Sequence, residues 1–415
     1  MEYTAQARAA DRARIPSLDT KITELEEVLG ALRLERDAAQ DRLDTYIYPI
    51  LTIPDEILSE IFLQCIPPYP ECPPLFGVYS PSKLGQICGH WKRVAHATPQ
   101  LWRAICCTSV WPNYPDGQLL STLETWLRRS RALPLALVFA FDAVAEEDET
   151  AVLLDIIVNN RARWEHLAVD LGEGKPKLRR LLEGTAPFLR ELEVRIGDYG
   201  AHAQGCSRPL DAPKLKTAVL HAYGVPDAGV VTWLPWAQLT RLSLADIPLA
   251  MMATILQQSN QLVHCRLVLN EDGANVSIHR SPILLPHLTT LLVQMVDSSS
   301  EAEQLSLSLF KLIRAPALLR FYLDEDILEP EQDRPGLLVI DVVAGFGCSK
   351  LEELRVAYSQ ATPSTFTEAL PNLVDVRVYP DTGMGSLDCC RSDGWEWPAW
   401  DLMHRYSRGA SAGND

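Results

Sequence analysis

The residues of this chain able to do chemistry are its histidines, cysteines, acids and arginines, and their spacing limits what they can do. The nine histidines are scattered. His166 and His264 fall on predicted strands, where hydrogen bonding at a surface fits better than catalysis. The ten cysteines are scattered too: Cys106-Cys107 and Cys389-Cys390 are adjacent pairs and no Cys-x-x-Cys occurs. Zinc-ligand pairs want about two to four intervening residues. The acidic run Asp324, Glu325, Asp326, Glu329, Glu331 and Asp333 reads as a solvated loop rather than a metal site. Gly345-Phe-Gly-Cys-Ser-Lys lacks the third glycine and the following helix of a dinucleotide loop. No phosphate-binding Gly-x-x-x-x-Gly-Lys-Ser/Thr, no His-Glu-x-x-His and no Gly-x-Ser-x-Gly elbow occurs. The expectation is a chain with no catalytic residue, metal or cofactor.

Arginine and tyrosine remain, the types enriched where proteins grip partners. They recur inside a repeated phrase, x-x-Leu-x-x-Leu-x-Leu/Val. Copies include Pro187-Phe-Leu-Arg-Glu-Leu-Glu-Val194, Pro213-Lys-Leu-Lys-Thr-Ala-Val-Leu220, Ala237-Gln-Leu-Thr-Arg-Leu-Ser-Leu244 and Asn260-Gln-Leu-Val-His-Cys-Arg-Leu267. Pro286–Val293, Pro316–Leu323, Ser349–Val356 and Pro371–Val378 continue the series, with a weaker first copy at Ala162–Val169. The anchors are Trp164, Leu189, Leu215, Leu239, Leu262, Leu288, Leu318, Leu351 and Leu373, most of them about 20–29 residues apart. These copies resemble leucine-rich repeats of a degenerate kind, since the asparagine that should follow the last leucine appears only as Asn270. The resemblance implies a stacked α/β solenoid with a curved parallel sheet, because no single unit buries its own apolar edge.

Side chains on a strand alternate faces, so the residues between the leucines share one side. That side carries Glu191, Glu193, Arg195, Arg241, Ser243, His264, Arg266, Arg320, Tyr322, Glu353, Arg355, Arg377 and Tyr379. Arg266, Arg320, Tyr322, Arg355 and Arg377 are the candidate target-binding residues. They lean basic in an acidic protein, which fits an acidic or phosphorylated ligand as well as it fits a solvated face. Leu192, Leu242, Leu291 and Leu354 should be buried on the opposite side.

Two further stretches precede the repeats. Ile15, Leu18, Ile22, Leu25, Leu29, Leu32, Arg36, Ala39, Leu43, Tyr46 and Ile50 recur at alternating steps of three and four. This predicts a coiled-coil-type helix over 15–48, following a frayed tail at 1–14. It could zip to a second copy as a homodimer or fold back on its own chain. From Ile50 to Ile105 three short helices are predicted. Pro54 suits a first helical position, with Asp55 and Glu56 in the first turn. Ser80-Pro81 starts a second helix and Thr98-Pro99 a third.

Ile53-Pro54-x-Glu56-Ile57-Leu58, Ile61-Phe62, Ile87-Cys88-x-x-Trp91 and Pro99-x-Leu101-Trp102 resemble an F-box, of the F-box-like type common in large fungal families. Ile53 stands where leucine is usual, and the loop from Pro67 to Ser80 is longer than a compact F-box needs. The resemblance implies docking on a Skp-type adaptor through Ile53, Pro54, Ile57, Leu58 and Ile61. Through that adaptor the chain would join a cullin–RING ubiquitin ligase, with the repeats capturing an unknown target protein. The alternative is a repeat scaffold acting outside any ligase. An enzyme would require a pocket with paired acid and base residues.

Composition agrees with this reading. The chain has 415 residues, 47% hydrophobic and 22% charged, as in an ordinary globular protein. Its net charge of −16 argues against a nucleic-acid or anionic-membrane surface. The first residues show no apolar signal core and no apolar run reaches a membrane span, so cytoplasm or nucleus, with reduced thiols, is expected. The expected layout is a tail at 1–14, the long helix at 15–48, the F-box-like domain at 49–108, the repeats at 109–380, and a tryptophan-containing cap with a disordered tail at 381–415.

Overall fold

In the computed structural model, residues 5–45, 49–108, 118–140, 147–172, 181–196, 210–222, 232–269, 281–295, 309–328, 335–380 and 401–411 are described. They group into two units, Met1–Leu58 and Ser59–Asp415.

The first unit is dominated by one helix, α1 (Ala5–Thr45). It starts ten residues before the predicted Ile15, because Ala5, Ala7, Ala9 and Ala10 are strong helix formers that need no apolar face. A 3₁₀ turn, Pro49–Thr52, precedes α2 (Asp55–Gln64). The α2 first turn carries Asp55 and Glu56 as expected, and Leu58 N–H donates to the Pro54 carbonyl at 3.0 Å.

The second unit is built on an 11-stranded parallel sheet. Its strands are β1 (Ala104–Cys107), β2 (Leu135–Ala140), β3 (Trp164–Asp170), β4 (Glu191–Ile196), β5 (Thr217–Ala222), β6 (Arg241–Ala245), β7 (His264–Leu269), β9 (Thr290–Met295), β11 (Arg320–Asp324), β12 (Glu353–Ala357) and β13 (Asp375–Tyr379). They lie in sequence order, and the two-residue strands β8 (Ile283–Leu284) and β10 (Ile313–Arg314) pair separately. All nine repeat phrases end in strands.

The repeat has a visible local cause. Before most strands a turn closes from residue i to the anchor at i+3, as in Leu189 N–H to Ala186 C=O at 3.2 Å. The same bond joins Leu215 to Ala212, Leu288 to Leu285, Leu318 to Ala315 and Leu373 to Leu370. Pro187, Pro213, Pro286, Pro316 and Pro371 occupy position i+1 of these turns, where the proline φ is already set. Each turn then hands its strand to the next in register.

That register runs across the sheet, with one shift between Leu135 and Ala136 where β2 meets β3, and sorts residues by face. One row holds Ile105, Leu137, Leu167, Leu192, Ala218, Leu242, Cys265, Leu291, Phe321, Leu354 and Val376. Leu192, Leu242 and Leu354 are 0% exposed and Leu291 1%, so the buried side is where the phrases put it. Helices in the crossovers add to the core: Leu123 and Trp126 from α5 (Gln118–Arg129), Leu154 and Ile157 from α6 (Glu147–Asn159). Met252 and Ile255 come from α7 (Leu249–Gln258), Val339 and Val343 from α8 (Leu337–Gly345), and Phe366 from α9 (Pro363–Ala369). Among the described residues, no helix is long and apolar enough to cross a membrane.

Three sequence expectations need correcting. The helix predicted after Ser80 breaks at Cys88 into α3 (Pro81–Ile87) and α4 (Gly89–Ala97), since Cys88 is extended at φ −156° and its sulfur caps Trp91 N–H at 3.5 Å. Ser80 does cap α3, accepting from Ser82 N–H at 3.2 Å, but Thr98 makes no such cap and instead donates to the Val94 carbonyl at 2.8 Å. The tail expected from Ser407 onward is helical through α10 (Leu402–Ser411), because Leu402, Met403 and Tyr406 supply one apolar face at helical spacing. The tryptophan cluster Trp395, Trp397 and Trp400 and most of its predicted cap lie outside the described residues.

Candidate interaction surfaces

The other face of the sheet carries the residues lying between the leucines. One row reads His166, Glu191, Thr217, Arg241, His264, Thr290, Arg320, Glu353 and Asp375 from β3 to β13. The next reads Ala168, Glu193, Val219, Ser243, Arg266, Leu292, Tyr322, Arg355 and Arg377. Four of the candidate target-binding residues, Arg266, Tyr322, Arg355 and Arg377, therefore share a row, with Arg320 in the row beside it.

Their exposures differ. Arg320 and Arg377 stand with side chains 46% and 42% exposed, and Arg266 is half-buried. Tyr322 is 0% exposed and Arg355 2%, so neither offers a partner its surface without local opening. The hydroxyl of Tyr322 donates to Asp324 at 2.7 Å, and the guanidinium of Arg355 pairs with the Asp375 carboxylate. Arg266 Nε donates to Gln294 at 2.9 Å, and Arg320 Nε lies 3.3 Å from Glu353. Each cation is thus tied to an acid or an amide, which holds its head in place. Burial lowers the His264 pKa, and Arg241 and Arg320 lower it further, so this ring is neutral at pH 7 between two arginines.

Asp324 and Glu325, placed by sequence in a solvated loop, are 1% exposed each. Asp324 accepts from Met295 N–H at 3.1 Å as well as from Tyr322, and Glu325 accepts from Gly336 N–H at 2.5 Å. Gly336 sits at φ 88°, and a Cβ there would meet Phe366 at 3.0 Å. The acids are buried because a backbone N–H left unpaired by the turn needs an acceptor. Glu329, Glu331 and Asp333 lie outside the described residues. Among the described residues no cluster of acids, histidines and cysteines has metal-holding geometry.

Over the first strands the same face is covered. α10 follows β13 in the chain yet packs on β1 to β4 at the opposite end of the sheet. Leu402, Met403 and Tyr406 bury against Ala104, Cys106, Ala136, Val138, Ala168 and Val219. Polar contacts complete the contact: Met403 N–H donates to Glu193 at 2.7 Å, Asp401 pairs with Arg195 at 3.0 Å, and the Tyr406 hydroxyl meets Glu191 and His166. Burial pushes the Glu193 carboxyl up, opposed by Arg195, whereas Glu191 is held below its usual range: burial raises it, but His166 and Arg405 outweigh that.

The long proline-rich loop joins this contact. Cys72 N–H donates to the Tyr406 carbonyl at 2.7 Å, Tyr69 donates to Glu165 at 3.0 Å, and Arg103 lies 3.6 Å over the Tyr69 ring. The extra loop length noted in the sequence is used to hold the C-terminal helix. No simple signal in the sequence pairs residues some 330 positions apart.

A second surface is apolar. In the second unit Val78 and Ile87 are 80% and 61% exposed, and they line an open cleft of about 510 Å³ with Cys65, Tyr79, Pro81 and Leu84. In the same unit Phe62 meets Trp91 at 5.0 Å, and Trp102, fully buried, meets Trp126 at 5.3 Å. Of the candidate adaptor-binding residues, Pro54 is exposed, Ile53 half-exposed, and Ile57 and Ile61 are 55% and 41% exposed. Leu58 is 0% exposed and serves packing. Comparison of the chain with protein-family models found no match, and comparison with curated proteins found none either.

Proposed function

We propose that this chain is the substrate-recognition subunit of a Skp–cullin–F-box ubiquitin ligase. The observation that carries the reading is the set of outward apolar residues within the motif region: in the second unit Ile61, Val78 and Ile87 are large and exposed, in a stretch whose Phe62, Leu101 and Trp102 are buried. Exposed apolar groups of this kind suit a partner surface, and the order of motif residues, which resembles that of an F-box, supports a Skp-type adaptor as the partner. The parallel strands then act as a leucine-rich-repeat-like solenoid whose arginine-bearing face, with Arg266, Arg320 and Arg377, receives an acidic or phosphorylated segment of the target. The chain supplies no catalytic group. It raises the effective concentration of a target lysine near a charged ubiquitin-conjugating enzyme. Action in the cytoplasm or nucleus follows from that role.

The test is a pull-down with purified Skp-type adaptor. Ile53→Ala with Pro54→Ala should keep the wild-type melting temperature and weaken binding by about tenfold or more. Leu58→Ala should lower the melting temperature instead. A folded Ile53/Pro54 double variant that binds as well as the parent would overturn the assignment.

A further inference from the structure

α1 presents an apolar stripe along its length to solvent. Assigning Ile15 to heptad position a puts Ile22, Leu29, Arg36 and Leu43 at a, and Leu18, Leu25, Leu32 and Ala39 at d. The stripe is exposed, from 44% at Leu18 to 67% at Leu25. A free helix this apolar along one seam has a large incentive to be covered. Pro16 lies at position b and removes one ladder hydrogen bond, so the continuous seam runs from Leu18.

We propose that α1 joins a second copy of this chain in a parallel, in-register, two-stranded coiled coil. Three features of the helix select that occupant. The first is shape: β-branched isoleucine at a with leucine at d, as at Ile22 and Leu25, favours two strands.

The second is charge at the flanking positions. In a parallel pair each g residue meets the following e residue of the other helix. Lys21 then faces Glu26 of the second copy and Arg14 faces Asp19, while Val28 faces Arg33 and Glu35 faces Gln40. By two-fold symmetry each attraction occurs twice, and no like charges meet among these flanking pairs. The antiparallel register that covers the same seam, with Leu18 opposite Leu43, sets Lys21 beside Arg42. It offsets this only with Glu26 beside Arg33.

The third is Arg36, the one charged seam residue, which ion-pairs with Asp37 at 2.5 Å on its own helix. In the parallel register each Arg36 lies opposite Arg36 of the other copy, and Glu35 of that copy lines the same hole, so the two like charges are set against two acids. In the antiparallel register it would face Leu25. A polar residue at a single a position sets register and strand number at some cost in stability.

Light scattering of the full chain over the micromolar range tests this. A mass of twice 46.3 kDa is expected, falling to one copy for Leu25→Lys with Leu32→Lys while the melt of the remainder is unchanged. Lys21→Glu and Glu26→Lys should each raise the dimer dissociation constant about three- to tenfold, and the two together should restore it. Oxidation of Leu25→Cys should cross-link two copies, since equal d positions adjoin only in the parallel register. A monomer at every concentration overturns the proposal, as it would if the seam folded back or served a different helix. A mass of three or more copies, or a charge-swapped double variant no tighter than the singles, overturns it too. The outcome is independent of adaptor binding.

Discussion

The covered and open halves of the polar sheet face share one backbone and one register but differ in side-chain size. Under α10 the two rows include Ala104, Ala136, Cys106, Val138 and Ala168, with His166, Glu191 and Glu193 beside them. Beyond β5 the equivalent positions include Arg241, Arg266, Arg320, Tyr322, Arg355 and Arg377, with Ser243, Thr290 and Leu292 among them. Small side chains leave a shallow floor on which a helix can lie at packing distance, whereas Arg241, Arg266, Arg320 and Arg377 keep part of their side chains exposed. The expected reason that α10 lies on β1 to β4 is residue volume, with Glu191, Glu193 and Arg195 fixing its position.

That comparison can be broken or sharpened in four ways. The opposite, apolar face should not distinguish the halves. Leu192→Ala beneath the covered half and Leu354→Ala beneath the open half should each cost about 2–5 kcal/mol in denaturant melts. A loss at only one of them would show that the halves fold as separate bodies.

His221 lies at the boundary, in register with Arg195 on β4 and Ala245 on β6. Burial lowers its pKa to about 4, helped by Arg195 and Arg266 and opposed by Asp401. The unfolded chain takes up this proton at about pH 6.5 while the folded chain resists it until about pH 4. Stability therefore falls as pH drops through this window, by up to about 3 kcal/mol from this group. His221→Asn should flatten the pH dependence of the melt between those values, and an unchanged slope would remove His221 from the account.

The size rule is tested directly by Ala168→Leu, which overfills the floor beneath Tyr406. It should cost about 1–3 kcal/mol and increase protease cutting near residues 401–411. If α10 stays docked and the melt is unmoved, volume does not decide the contact. The smallest effect is expected on the open half: Arg320→Ala should change stability by less than about 0.5 kcal/mol, because its pair with Glu353 is partly exposed. A larger loss would mean that the arginine row is structural and not free to receive a ligand.

How much of this was written in the chain depends on the range over which each feature is encoded. The strands were legible because proline turns and alternating leucines act within eight or ten residues, and the helix stripe because a heptad is local too. Parallel order followed from the equal spacing of the phrases, and so did the face on which Arg266 or Glu193 stands. The sequence alone did not show that Tyr322 and Arg355 are buried, that Asp324 and Glu325 cap backbone groups, or that α10 crosses to β1–β4. Each of these depends on neighbours brought close only by stacking: Asp375 beside Arg355, Gly336 beside Glu325, Tyr69 and Cys72 beside Tyr406. Periodicity says which way a side chain points. What meets it there is decided by packing between segments distant in the chain.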